Sequence, residues 1–275
     1  MESNGRVFAF HMPHLVMGCG ARHELPALVG GLGRRVMVVT DPGVAVQPLF
    51  EQLILSLIHS GLHVGVFRDV VAEPPVRVVE ACVAAAEDAG ADVLLGVGGG
   101  STLDVTKVAA VKLKHAGTIP SLYGANRVPG RGLPTVLVPT TSGTGSEVTP
   151  IAVLSDEEQD LKIGIVSDYL LADHAVVDPQ LCASLPPEPT AYTGMDALTH
   201  AIESFTSRIA VPLVDALALD AIRLVSVHLR TAVNDGANEP ARCGMALASL
   251  LGGLCLKAVN CAAVHALAYP LGGRF

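Results

Sequence analysis

The sequence is short of charge. Asp, Glu, Lys and Arg make up only 16% of its 275 residues, and the formal net charge is −8. No basic stripe runs through it, which argues against a sequence-independent grip on a nucleic-acid backbone. It has no C-x-x-C pair and no tight cysteine framework. Cys19, Cys82, Cys182, Cys243, Cys255 and Cys261 therefore read as buried or free thiols in a reducing compartment. The opening MESNGRVFAF lacks the basic region and long apolar run of a signal peptide. The most apolar stretch, residues 243–273, is interrupted by Lys257, Asn260 and His265, so no run reaches the roughly 18 residues of a membrane span. Low-complexity tracts and internal repeats are missing too. These absences predict a cytoplasmic protein that neither binds nucleic acid nor enters a membrane.

What is present is apolar. Hydrophobic residues are 50% of the chain and the mean hydropathy is +0.49, which excludes general disorder. Four short β-branched or aliphatic runs, at 36–40, 62–67, 92–97 and 135–140, end in turn residues. Helix-like segments lie between them at 48–61 and 76–90. In the second, Val79, Cys82, Val83 and Ala86 share one face, and Gly90 supplies a stop. Strand, helix, strand in this rhythm predicts a parallel sheet covered by helices. The rhythm ends at DPQLCASLPPEPT (178–190), whose four prolines mark a linker. Beyond it no strand is evident, and Pro212 is placed to open a helix. The predicted organisation is an α/β domain over 1–180 followed by helices over 181–275.

Two local patterns carry chemistry. In GVGGGSTLDVTK, Gly98, Gly99 and Gly100 follow a strand and open a helix, so the backbone turns sharply and can approach a ligand. The helix amides and its positive dipole end suit a pyrophosphate. Ser101 and Asp104 have the spacing of a capping box. GGLGRRV (30–36) precedes a strand, so it is no dinucleotide fingerprint; neither it nor GTGSEVT (143–149) is a Walker loop. PTTSGTGSE (139–147) follows a strand and could line a ligand. Asp41 ends the first strand, where a carboxylate can meet a ribose diol or simply start the turn at Pro42-Gly43. The second pattern is TGMDALTHAIESF (193–205), an apolar helix with Asp196 and His200 stacked four residues apart. They are an ion pair on a solvated stripe or half of a metal site. Glu203, further along, reads as a solvated glutamate rather than a support for the ligands.

GGGSTLDVTK, PTTSGTGSEVTP, DPQL…LP…TGMDALTHAIESF and VHALAYPLGG, in this order, together resemble the iron-containing (group III) alcohol dehydrogenases. The resemblance runs from about residue 10 to the end. It implies an α/β N-terminal Rossmann-like domain with a parallel sheet and an all-α domain, the dehydroquinate synthase-like fold, with a metal in the cleft between them. By resemblance Asp41 holds the adenosine ribose of NAD. Gly98, Gly99, Gly100 and Ser101 form the pyrophosphate loop, Thr140, Thr141, Ser142 and Thr144 the second cofactor loop, and Lys162 and Leu181 further contacts. Asp196, His200 and His265 match three metal ligands for Fe²⁺, with Zn²⁺ acceptable to the same donors. The implied activity is hydride transfer between NAD and a small primary alcohol or aldehyde, in a possible homodimer. Tyr269 stands where many members carry a second histidine near the nicotinamide, and Glu73 where an asparagine is common. The fourth ligand of the family would lie beyond Phe275, so an incomplete helical domain and impaired catalysis by these residues alone are expected. Two alternatives remain: a homologue that binds nucleotide only, and a metal-free maleylacetate reductase-like enzyme.

Overall fold

The computed structural model describes residues 9–157, 161–259 and 263–272, with side chains in the last segment as far as Ala268. Its strands are β1 (His14–Met17), β2 (Arg35–Val39), β3 (His63–Phe67), β4 (Val93–Gly98), β5 (Gly124–Ala125), β6 (Thr135–Pro139), β7 (Ile151–Asp156), β8 (Leu161–Val166) and β9 (His174–Val177). The helices are α1 (Leu25–Leu32), α2 (Pro42–Ala45), α3 (Pro48–His59), α4 (Val76–Asp88), α5 (Gly100–Lys112), α6 (Pro187–Phe205), α7 (Pro212–Asn234), α8 (Glu239–Val259) and α9 (Ala263–Gly272). The four expected strands are β2, β3, β4 and β6.

Six strands form a parallel sheet in the order β1-β9-β6-β4-β2-β3. Successive residues of its central strands point to opposite faces, and both faces are covered. Val36, Val38, Val93, Leu95 and Val97 pack with Leu25 and Val29 of α1 and Leu53 and Leu57 of α3. Met37, Val39 and Leu94 pack on the other side with Val79 and Cys82 of α4 and Val105 and Val108 of α5. Burial on both sides explains why these strands read as unbroken aliphatic runs. From β2 the chain goes outward to β3, then returns to place β4 on the far side of β2. The direction of winding therefore reverses between β2 and β4, and a crevice opens beyond their C-terminal ends.

A second, three-stranded sheet was not expected from the sequence. In it β7 and β8 are antiparallel and β5 pairs with β8 in parallel. After β9 the described chain is helical. Small residues let α6, α7 and α8 approach closely: a Cβ added at Gly194 would fall 2.3 Å from Leu229 Cδ1, and one at Gly244 would fall 2.1 Å from His228 Cδ2. Ala197, Ala201, Ala218, Ala221 and Ala248 are fully buried among them. Helix α8 is long and apolar enough to cross a membrane, but 72% of that window is buried inside the protein. It is the central helix here. Its Ala246, Leu250 and Leu254 pack on Val148, Ala175 and Val177, joining the helices to the sheet.

Candidate active-site cleft

A cleft of about 1240 Å³ lies between the C-terminal ends of the parallel strands and the helices. It exceeds the roughly 300–1,000 Å³ of ordinary small-molecule sites, which suits a ligand with several parts. Asp41, Gly99, Gly100, Ser101, Thr140, Thr141, Thr144, Lys162, Leu181, Asp196, His200 and His265 all line it.

The turn between β4 and α5 is shaped by backbone. Gly99 is the N-cap of α5, and no side chain caps the first turn. The expected capping box is not formed. Ser101 Oγ instead accepts a bond from Glu73 N at 3.3 Å, and the Asp104 carboxylate is drawn away from the helix start. Without a side-chain cap, the first-turn amides of α5 can meet an anion. Gly98 and Ser142 stand behind the lining. A Cβ on Gly98 would lie 2.4 Å from Thr102 Oγ1, and its carbonyl accepts from Thr140 N at 2.9 Å, tying the two loops together. Ser142 is buried and donates to Cys182 Sγ at 3.8 Å. Gly100 matters for the same packing, since a Cβ there would come within 2.7 Å of Thr144 Cγ2.

Asp41 does two things at once. Its Oδ1 caps α2 by accepting from Gly43 N at 2.9 Å and Val44 N at 3.0 Å. Both bonds fall on that one oxygen, so Oδ2 is available to the cleft. Lys162 donates to the Glu73 carboxylate across the opening. Glu73 itself has a φ of +52°, a conformation in which asparagine is several-fold enriched over other side chains.

Beneath the loops lies a charge network that the sequence reading missed. Asp104 accepts from Ser146 Oγ at 2.6 Å and Val153 N at 2.9 Å. Fully buried Lys107 donates to Ser146 Oγ at 2.6 Å and to Ile151 O at 2.7 Å, with Asp104 at 3.5 Å. Burial pushes the Asp104 carboxyl up and the Lys107 ammonium down, and their opposite charges offset part of both shifts. Glu147 is buried beside them. Burial pushes it up to about 7 against the opposing pull of its own backbone amide and Lys107. The i,i+3 spacing of Asp104 and Lys107 was the available signal.

At the other end, α6 and α9 bring three donors together. Asp196 Oδ1 lies 3.6 Å from His200 Nε2 and 3.4 Å from His265 Nε2. One donor atom from each residue lies within 4.8 Å of the others, and the two rings are stacked with centroids 4.6 Å apart. These separations are too long for good hydrogen bonds. Two metal–ligand bonds of about 2.1 Å meeting at a tetrahedral angle put their donors about 3.4 Å apart. His200 is buried, and its Nδ1 has no hydrogen-bond partner. The three residues therefore fit a divalent ion.

Glu203 is not the solvated glutamate expected. It is 5% exposed, its Oε2 is 2.6 Å from His265 Nδ1, and its Oε1 accepts from Val264 N at 2.6 Å. A carboxylate on the far nitrogen of a ligating histidine fixes the ring's tautomer and direction. Asp196, His200 and Glu203 occupy i, i+4 and i+7, one stripe of an apolar helix, which was the missed signal. Tyr269 is on α9, but its side chain lies outside the described residues.

Residues 13–179 match the family profile described as "Iron-containing alcohol dehydrogenase", and residues 190–275 match "Fe-containing alcohol dehydrogenase family, C-terminal". The chain belongs to the iron-containing alcohol dehydrogenase family. Among its relatives, Long-chain-alcohol dehydrogenase 1 of Geobacillus thermodenitrificans is 49% identical over 263 residues, which cover 94% of this chain and 66% of that protein. Sulfoacetaldehyde reductase of Bilophila wadsworthia is 41% identical, covering 94% of this chain and 67% of the relative. The crystal structure of 1,3-propanediol oxidoreductase superposes with a TM-score of 0.95 at 36% identity, over 98% of this chain and 71% of that one. That of sulfoacetaldehyde reductase from Bifidobacterium kashiwanohense, in complex with NAD+, gives 0.91 at 34%, over 98% and 72%. The chain spans about two thirds of the length of these curated relatives.

Proposed function

We propose that this family member is a metal-dependent oxidoreductase that moves a hydride between NAD and a small primary alcohol or its aldehyde. One observation carries this. The uncapped start of α5 and the donor set of Asp196, His200 and His265 open into the same cleft. A phosphate-binding end and a metal-binding end in one cavity are what such a reaction requires.

The first-turn amides of α5, with Gly99, Gly100 and Ser101, hold the pyrophosphate of the cofactor. The available oxygen of Asp41 accepts from the adenosine ribose, and Thr140, Thr141, Thr144, Lys162 and Leu181 bound the rest of the dinucleotide. Gly98 and Ser142 keep the two loops in place from behind. At the far end Asp196, His200 and His265 hold Fe²⁺ or, on the same donors, Zn²⁺. When bound, the metal supplies Lewis acidity toward the substrate oxygen, and NAD supplies the hydride chemistry. Glu203 keeps the His265 ring directed at the site. The cytoplasm is the proposed site of action, and the homodimer is carried over from the resemblance.

The test is anaerobic metal analysis combined with NADH binding, on the protein and on Asp196→Ala. We expect the protein to bind one divalent ion and NADH, and the variant to lose the ion while NADH affinity changes little. Alcohol oxidation should disappear with a chelator and return with added metal. Unchanged metal content in Asp196→Ala, or turnover indifferent to chelation, would overturn the proposal.

A further inference from the structure

Away from the cleft, two thiols face each other across the seam between sheet and helices. Cys19 lies in the turn after β1, between Gly18 and Gly20, whose φ values are +147° and +83°. Cys243 is on α8, 224 residues further along the chain, and the two Sγ atoms are 3.4 Å apart. Cys19 is exposed and Cys243 partly so, whereas Cys82, Cys182 and Cys255 are buried. The surroundings hold the pair in register. The Asp178 carboxylate accepts from Gly20 N and Arg22 N and pairs with the Arg22 guanidinium, which fixes the Cys19 turn against the end of β9. Gln180 then donates to Glu239 at the start of α8.

We propose that Cys19 and Cys243 form a reversible dithiol–disulfide site that staples the sheet to α8, with a hydroperoxide as oxidant. An S–S bond of about 2.05 Å requires the sulfurs to close by about 1.4 Å. The movement can come from the Cys19 side. A glycine on either side lets Cys19 itself shift within the turn that Asp178 anchors, while α8 is locked where Gly244 meets His228.

The chemistry balances. One sulfur, as thiolate, attacks a peroxide oxygen, the O–O bond breaks, and a sulfenic acid forms with release of water or an alcohol. The second sulfur attacks the sulfenic sulfur, the S–O bond breaks, and water leaves as the disulfide forms. Two thiols lose two protons and two electrons, and the hydroperoxide takes up both electrons. Glutathione reverses the step by thiol exchange. Burial, the Cys243 partner and the Glu239 and Asp178 carboxylates push the Cys19 thiol up to about 12. As the attacking thiol, Cys19 is therefore slow toward electrophiles at neutral pH and reacts faster as pH rises.

The test is hydrogen peroxide treatment of the full chain, alkylation of remaining thiols, digestion without reductant and mass spectrometry. The expected product is a cross-linked peptide pair through Cys19 and Cys243, lighter than the two reduced peptides by two hydrogens and released by glutathione. Cys82, Cys182 and Cys255 should stay reduced. The cross-linked chain should melt several degrees higher, and neither Cys19→Ser nor Cys243→Ser should show the cross-link or the rise. Separate alkylation of both cysteines after peroxide, their individual over-oxidation, or a cross-link to Cys261 would each overturn the proposal.

Discussion

The two ends of the cleft are built from different materials. The end at β2 and β4 is made mostly of backbone: a glycine turn, the start of a helix, and a second loop packed against both. The end at α6 and α9 is made of side chains, with three donors and a supporting glutamate from two helices. A backbone site depends on conformation, so it fails only when something forces the loops apart. A side-chain site depends on identity, so it fails when any donor is removed. Both open into one cavity, and their failures should be separable.

The sharpest way to break this contrast is Asp196→Ala. Metal affinity should fall by more than about 100-fold with little change in NADH affinity; joint loss of both ligands would mean that the ends are not independent. Glu203→Gln comes next. The weaker partner for His265 Nδ1 should lower metal affinity by about 10–100-fold, seen by competition with a metallochromic dye, again with NADH binding retained. Gly100→Ala probes the opposite end. Its Cβ would press on Thr144, costing about 1–3 kcal/mol of stability and weakening NADH binding, while metal content stays as before.

The last expected effect touches neither ligand and depends on pH. The carboxyl of buried Glu147 is raised from 4.5 to about 7, so the folded state holds its proton more tightly than the unfolded state does. Its ionisation penalty is absent below about pH 4.5, grows through the window to pH 7 and is constant above it. At most it reaches about 3 kcal/mol. Glu147→Gln should flatten the fall in urea midpoint between pH 5 and pH 8. An unchanged slope would place that pH dependence elsewhere.

How far these features could be read from sequence follows the same division. The strands β2, β4 and β6 were legible because both faces are buried, leaving aliphatic runs that end abruptly in turn residues, whereas β3, a partly exposed edge strand, was legible from its valines and phenylalanine. The strands β7 and β8 were not, because Ser155, Asp156 and Lys162 cut their aliphatic runs short. Helix α1 was hidden by Gly30 and Gly31 within it. Asp196 and His200 could be paired by helical spacing, but their third partner is 65 positions beyond His200 in the chain, and only the family resemblance supplied it. The capping box was the wrong reading of a correct spacing. Ser101 and Asp104 found stronger partners in Glu73 N, Ser146 and Val153, contacts between elements that no local pattern encodes. Glu203 differs, since its place on the stripe of Asp196 and His200 was legible, while its partners Val264 N and His265 come from α9.

The Glu203 carboxylate of α6 grips both the first-turn amide of α9 and its histidine. Elsewhere α9 is lightly covered: Val264 is 54% and Leu267 70% exposed. Segments with so few buried contacts open at low free energy, independently of global unfolding. A ligand that engages His265 would draw this helix into the protected core. Amide exchange along α9 would therefore serve as a local gauge of metal occupancy, slowing as the ion loads while the β-sheet exchanges at its own unaltered pace.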